Sequence, residues 1–237
     1  MPVQDEFDKY QSDQREMFDQ LITRDWETYA SPQWDATRRF EIRRLFAATR
    51  PRVIADIGCG CGFHAAEMAR APFVEHIHAI DYSTQSIARA KQHFAHPKVD
   101  HQVAELGNWQ PPEPADLVTS FQVIEHVENA EWFLRQCATL CKPRGRIAVF
   151  TVHLMRPYNR KRLRYGKTIE LEDPMHRREF TPASLLELGL RAGLRPVRIF
   201  TYAADAPRLP HRLALWLGYL IPVTATRLAA IFEKGSA

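Results

Sequence analysis

The run from Val53 to Ala65, V-I-A-D-I-G-C-G-C-G-F-H-A, limits what this chain can fold into more than any other stretch. Val53, Ile54, Ala55 and Ile57 enclose a single acid, Asp56, and glycine then takes every second place. This is the pattern of a buried strand emptying into a tight turn. Gly58, Gly60 and Gly62 carry no β-carbon, so a ligand can approach the backbone there, and Phe63, Ala65, Ala66, Met68 and Ala69 follow at helical spacing. A dinucleotide fingerprint would put its third glycine where Phe63 stands, and a phosphate loop would end in Gly-Lys-Ser/Thr, which is missing. What remains is acid-x-Gly-x-Gly-x-Gly, a loop with a carboxylate at its entrance, suited to a ligand that carries a cation.

This run resembles the first motif of the class I S-adenosylmethionine-dependent methyltransferases. The resemblance implies a Rossmann-like, doubly wound α/β fold: a mostly parallel seven-stranded sheet, helices on both faces, and an antiparallel last strand. It implies S-adenosyl-L-methionine as cofactor and S-adenosyl-L-homocysteine as product, with Asp56 serving the methionine end and Gly58, Cys59, Gly60 and Gly62 along the path of the ligand. Further motifs follow in order. A second strand, His76 to Ile80, ends in Asp81, one βα unit past the loop, where a carboxylate sits at the carboxyl edge of a doubly wound sheet. The resemblance gives Asp81 the ribose hydroxyls and places Tyr82 beside the adenine. A third strand, Val99 to Val103, leads to Glu105 and Leu106; relatives commonly have an Asp on the adenine amino group here, so Glu105 departs from them by one methylene. The fourth strand, Asp116 to Phe121, exits through Gln122, Glu125 and His126 at the expected switch point of strand order, facing the transferred methyl. A helix from Ala130 to Cys141, a K-P-R-G turn and a fifth strand, Arg146 to Val152, complete the regular part.

Outside it, residues 1–49 are expected to form an N-terminal helical lid in two segments, one with Met17, Leu21 and Ile22 and one with Trp34, Phe40, Ile42, Leu45 and Phe46, parted by Ser31-Pro32. A plain packing helix is the competing reading. Residues 50–237 then form the methyltransferase core, with a long irregular substrate-side insertion at about 153–180 and a helical insertion at about 208–222. Helix Thr181 to Gly193 and strands Arg195 to Tyr202 and Arg227 to Glu233 close the fold. The polar, acidic first twenty residues predict no secretion leader, and the longest nearly apolar run, Leu213 to Val223, is about half a membrane span, so a cytoplasmic protein is expected. The cysteine pairs Cys59/Cys61 and Cys137/Cys141 form no C-x-x-C site and are expected to be reduced core residues.

A methyl group on a sulfonium is already activated, so the protein has to align a nucleophile and manage one proton. His126 is the first candidate base, with Glu125 as its orienting neighbour, although the pair could equally cap the next helix. His176 is the second, in H-R-R-E-F-T, which resembles the His-x-x-x-Phe-Thr/Ser stretch of many small-molecule methyltransferases. Small-RNA and ubiquinone-pathway relatives hold a divalent metal with a Glu-x-x-Glu-His cluster. Gln122 replaces the first of those glutamates, so no metal is expected unless the fold brings Glu125, His126 and His176 together. Lys142 to Arg212 holds 16 Lys and Arg against 6 Asp and Glu, and the loop Arg156 to Lys167 could meet an anion or remain a solvated surface. Leu213, Leu215, Trp216, Leu217, Tyr219 and Leu220 could be core or, within 208–221, a peripheral membrane contact. The favoured function is methyl transfer to a hydroxyl oxygen of a small molecule or glycan, anionic or lipid-linked. An Asn/Asp-Pro-Pro-Tyr motif for amide nitrogen is absent after the fourth strand. An RNA methyltransferase, with RNA as partner, and a catalytically inactive cofactor-binding scaffold are the alternatives.

Overall fold

The computed structural model describes Glu16, Asp19, Gln20, residues 30–204 and residues 210–235. The expected first lid segment, with Met17, Leu21 and Ile22, lies outside the described residues. The strands are β1 (Val53–Ile57), β2 (His76–Asp81), β3 (Val99–Val103), β4 (Ala115–Phe121), β5 (Cys141–Val152), β6 (Leu194–Tyr202) and β7 (Arg227–Lys234). They form one sheet in the order β3-β2-β1-β4-β5-β7-β6, in which only β7 runs against its neighbours. All five residues of β1 are buried, as a central parallel strand requires, and the apolar side chains of its two faces feed two separate cores. Chain order reverses beside β1, which pairs with β2 on one side and β4 on the other, so a crevice opens at their carboxyl ends. The opposite ends are pinned by Asp116, whose Oδ2 accepts from the backbone N–H of Arg52 and of Val53 (2.9 Å each) and whose Oδ1 accepts from Lys142 Nζ (2.8 Å).

The helices are α1 (Pro32–Phe46), α2 (Phe63–Ala69), α3 (Thr84–His93), α4 (Ala130–Leu140), α5 (Pro157–Arg164), α6 (Pro182–Arg191) and α7 (His211–Leu220). Their starts follow local chemistry. Ser83 and Asn129 cap α3 and α4, and Thr181 with Ser184 forms a capping box on α6 behind Pro182. Two glycines let helices lie close on the sheet: a β-carbon on Gly189 would fall 2.2 Å from the Phe232 ring, and one on Gly218 2.2 Å from the Ala203 nitrogen. Helix α1 lies against α2 and α7, with Phe40 in an aromatic cluster with Tyr202, Trp216 and Tyr219 at ring distances of 5.6 to 6.1 Å.

Three elements differ from the sequence-based expectation. Strand β5 begins at Cys141, not Arg146, because K-P-R-G forms a bulge inside the strand: Arg144 takes φ 62° and the pairing with β4 shifts between Ala115 and Leu117. The stretch expected to be irregular, 153–180, contains α5, whose Asn159 is fully buried and ties Leu154 O and Glu170 O together (2.8 Å each). The inserted helix runs from His211, its expected start at Arg208 lying outside the described residues, and it is two-faced. Ala214, Leu215 and Gly218 are buried, whereas Leu213, Trp216 and Leu220 are exposed. All four cysteines are buried and free, as expected. No helix of the described residues is long and apolar enough to cross a membrane.

Candidate active site

The glycine turn is held open by its own backbone. Gly58, Gly60 and Gly62 all take left-handed φ (69°, 52° and 81°), a region that disfavours side chains. The N–H groups of Gly58 and Cys59 both donate to Ile80 O (2.9 Å each), and Gly60 N donates to Asp81 Oδ2 (2.9 Å), so the turn is tied to the end of β2. Beyond it lies a cavity of about 570 Å³ at the carboxyl edge of β1, β2 and β4. A β-carbon on Gly60 would meet nothing within 4 Å, so the backbone there faces open space. Gly62 serves packing instead. Its β-carbon would fall 2.6 Å from His101 Nε2, where α2 passes β3, and it does not line the cavity.

Asp56 is buried at the cavity floor. Its Oδ1 accepts from Thr119 Oγ1 (2.7 Å) and its Oδ2 has no partner. Burial pushes its carboxyl up to about 6, against the pull of the Thr119 bond and of nearby His64. Asp81 Oδ1 accepts from Ser83 N (2.8 Å), and Asp81, Cys59, Tyr82 and Gln122 all line the cavity. Glu105 and Leu106 do not. They follow the outermost strand β3, with Glu105 exposed before a short 3-10 turn and Leu106 packed on the core.

The same cavity is lined by the three predicted polar residues, which the structure brings together. Ligand atoms of Glu125, His126 and His176 lie within 4.8 Å of one another. Glu125 is fully buried, its Oε2 accepting from Thr151 Oγ1 (2.9 Å) and its Oε1 lacking a partner; burial lifts its carboxyl to about 7. His126 is pushed down to about 4 by burial and by the His176 ring, which meets it edge-on with centroids 4.8 Å apart. His176 is held by a residue that sequence reasoning did not single out: its Nδ1 is 2.9 Å from Glu179 Oε1. The Glu179 carboxylate also accepts from Arg156 and from Glu172 N; burial opposes its charge, but these bonds outweigh it and hold the group below the usual glutamate range. The H-R-R-E spacing, a base and an acid three residues apart, was the available signal.

Helix α1 contributes further residues that sequence reasoning missed. Arg38 reaches the cavity wall, 5% exposed, bonded to Asp35 Oδ1 (2.5 Å) with its guanidinium 4.4 Å over the Phe63 ring. Trp34 and, from α2, His64 line the same wall.

A family model described as a methyltransferase domain matches residues 34–199. The chain belongs to that family. Among curated relatives it is 32% identical over 151 residues to a ubiquinone biosynthesis O-methyltransferase of Aeromonas salmonicida, covering 60% of this chain and 62% of the relative. It is 34% identical over 122 residues to the enzyme of the same name from Bradyrhizobium diazoefficiens, covering 50% and 47%. The matches thus span about half to three fifths of those relatives' lengths. The fold is shared with magnesium protoporphyrin IX methyltransferase of Synechocystis, solved with bound S-adenosylhomocysteine, at a TM-score of 0.68 and 13% identity over 95% of this chain and 100% of that one. The observed sheet and this shared fold bear out the seven-stranded, mostly parallel class I methyltransferase fold that the resemblance implied.

Proposed function

We propose that this protein transfers a methyl group from S-adenosylmethionine to a hydroxyl oxygen of a small molecule, with phenolic and sugar hydroxyls as the acceptors to screen first. The observation that carries this is one cavity lined by two chemically different groups: a buried acid with an unpartnered oxygen beside the glycine turn, and a carboxylate-held histidine on the chain beyond β4. The donor supplies an activated methyl on sulfur. The chain's own work is to bind it, align the acceptor and take one proton. Asp56 Oδ2 suits the ammonium of the methionine end and Asp81 the ribose hydroxyls. At the acceptor end His176 is the better base. With Nδ1 on Glu179 it offers Nε2 for the hydroxyl proton, and the Glu179 carboxylate steadies the imidazolium that forms. His126, already a weak base through burial, stays neutral and serves as a wall and hydrogen-bonding group. The basic loop gives little support to an RNA substrate, since Arg156, Arg160 and Arg162 turn inward onto Glu179, Met155 O and Thr168 O. Transfer of labelled methyl to a panel of phenols and sugars tests the reading. Binding of S-adenosylhomocysteine with no transfer to any hydroxyl would favour the scaffold, and transfer to RNA alone the nucleic-acid enzyme.

A second reading rests on the convergence of Glu125, His126 and His176. The donor set suits a divalent ion in having an unpartnered carboxylate oxygen and two imidazoles, and fits a hard cation poorly in having one carboxylate, with Gln122 in the place of another. These three residues would hold the ion, which would supply Lewis-acid activation of the acceptor hydroxyl.

Asp56 makes donor binding pH-dependent. Its folded pKa of about 6 lies above the ordinary 3.8, so folding favours the protonated form, and the stability it contributes below pH 3.8 is lost as pH rises through 6. An ammonium beside it favours the anion instead. Affinity for S-adenosylhomocysteine should therefore fall about tenfold per pH unit below about pH 6, with proton uptake by Asp56 opposing binding. Calorimetry in two buffers of different ionisation heat checks this: protons should be released on binding near pH 5.5 (about one half-unit below the midpoint), and Asp56→Asn should abolish the release.

The exposed side of α7 is proposed to rest on an anionic lipid surface. Leu213, Trp216 and Leu220, with Ile221 and Val223 beyond the helix, are exposed. Residues 210–227 contain no acid, Arg212 is exposed beside them, and the Arg44 guanidinium lies 4.2 Å over Trp216. The protein should sediment with phosphatidylglycerol vesicles and not with phosphatidylcholine ones, and Trp216→Ser with Leu220→Ser should remove that binding.

A further inference from the structure

Among the described residues, two that are not glycine hold a left-handed backbone, Gln122 (φ 56°) and Arg144 (φ 62°). Arg144 belongs to the K-P-R-G bulge of β5 and its side chain is exposed, so the shape of the strand accounts for it. Gln122 has no such account. It directly follows β4 and lines the cavity. A left-handed turn residue is ordinarily Gly, without a β-carbon, or Asn, whose short side chain bonds locally, and a glutamine gains neither relief. The turn is nonetheless held in place along its length. Gln122 N donates to Phe150 O (2.8 Å), His126 N to Val123 O (2.9 Å) and Arg177 N to Glu125 O (2.8 Å). What the strained backbone presents is a carboxamide: the Gln122 side chain is half-buried, borders the cavity and makes no hydrogen bond among the described residues. The same turn joins the glycine loop to the histidines. A β-carbon on Gly58 would fall 2.5 Å from Val123 Cγ2, and Glu125 and His126 meet His176.

We infer that the Gln122 carboxamide donates a hydrogen bond, through Nε2–H, to the acceptor oxygen as it is methylated. This rests on the proposed transfer to a hydroxyl with His176 as base. A hydroxyl oxygen carries one proton and two lone pairs. His176 Nε2 takes the proton, one lone pair forms the O–C bond while the C–S bond breaks and leaves its electrons on sulfur, and the second lone pair accepts from Gln122. Two fixed bonds aim the attacking pair at the methyl carbon. The amide N–H also stabilises the oxygen as its proton leaves, which helps a weakly acidic hydroxyl most. A carboxylate in this place could only accept, and would oppose the charge that develops.

The test measures labelled methyl transfer to phenol and to the more acidic 4-nitrophenol, with S-adenosylhomocysteine affinity and Tm alongside. Gln122→Ala keeps the backbone strain and removes the donor. It should lower kcat/KM for phenol about 10²-fold, as loss of one oxyanion donor does, and cost 4-nitrophenol, already an anion near neutral pH, at least about fivefold less. On a sugar hydroxyl, less acidic still, the loss should exceed that on phenol, and should only sugars react, that loss alone decides. Gln122→Asn suits the left-handed backbone but is one methylene short, so it should raise Tm by about 1 to 4 °C while losing turnover as the alanine variant does. S-adenosylhomocysteine affinity should stay within about twofold in both variants. Wild-type turnover in the alanine variant, or equal loss on both phenols, overturns the donor role. A loss of S-adenosylhomocysteine affinity that accounts for the fall in turnover overturns it too, by placing Gln122 on the methyl donor. A wild type that binds S-adenosylhomocysteine yet methylates no hydroxyl removes the acceptor reading itself, a result distinct from an active wild type indifferent to Gln122.

Discussion

Replacing His176 by alanine should lower kcat about 10²- to 10⁴-fold, the range for loss of a positioned general base, and leave S-adenosylhomocysteine affinity within about twofold. The two effects separate because His176 acts on Glu125 and His126, whereas the charged groups acting on Asp56 beside the glycine turn are His64 and Asp81. Glu179→Gln should fall between wild type and His176→Ala. The amide still orients Nδ1 but no longer stabilises the imidazolium, so kcat should drop while KM for the acceptor stays nearly constant. His126→Gln should cost far less, because a ring held near pKa 4 carries no proton in the working range. Chelation decides between base and metal. Turnover unchanged by EDTA with His176→Ala impaired supports the base. Turnover abolished by EDTA and restored by magnesium, manganese or zinc would make His176 a ligand and replace the base reading with the metal one.

The parts of this site written in consecutive residues were legible, and the parts written across the fold were not. Asp56, Gly58, Gly60 and Asp81 belong to strand ends and turns whose geometry follows from their neighbours, and the structure places all four on the cavity. Gly62 looked like one of the set, yet its missing β-carbon serves the approach of His101, a contact no local pattern announces. Glu41 meets His64 across 23 residues and Tyr202 across 161, and a buried glutamate on an N-terminal helix resembles a solvated one until the sheet is assembled. Helix α5 was missed for a related reason. Its composition is dominated by arginine and lysine with no apolar stripe, and it is held by the bonds of buried Asn159 instead of by a hydrophobic face.

Arg156 gives the largest expected effect on stability, and it does so against its appearance in the sequence as one charge in a basic loop. It is 6% exposed; its guanidinium donates to the Glu179 carboxylate and to Glu170 O (2.8 Å), while Glu172, beside it, is gripped by Arg227 at 2.9 and 3.0 Å. Removing one partner of such a pair leaves a buried charge uncompensated, which costs about 3–5 kcal/mol. Arg156→Met should therefore lower Tm by roughly 6 to 20 °C at about 2–4 °C per kcal/mol for a chain of this size. Lys161→Met on the exposed side of the same helix should stay within about 0.5 kcal/mol. The double variant Arg156→Met with Glu179→Gln should recover part of the loss, because the orphaned charge goes with its partner, giving a coupling of about 1–3 kcal/mol in a thermodynamic cycle. Additive losses would mean that Arg156 acts through packing of its stem alone. A loss for Arg156→Met no larger than for Lys161→Met would return the loop to a solvated surface and remove the support on which the orientation of Glu179, and through it His176, depends.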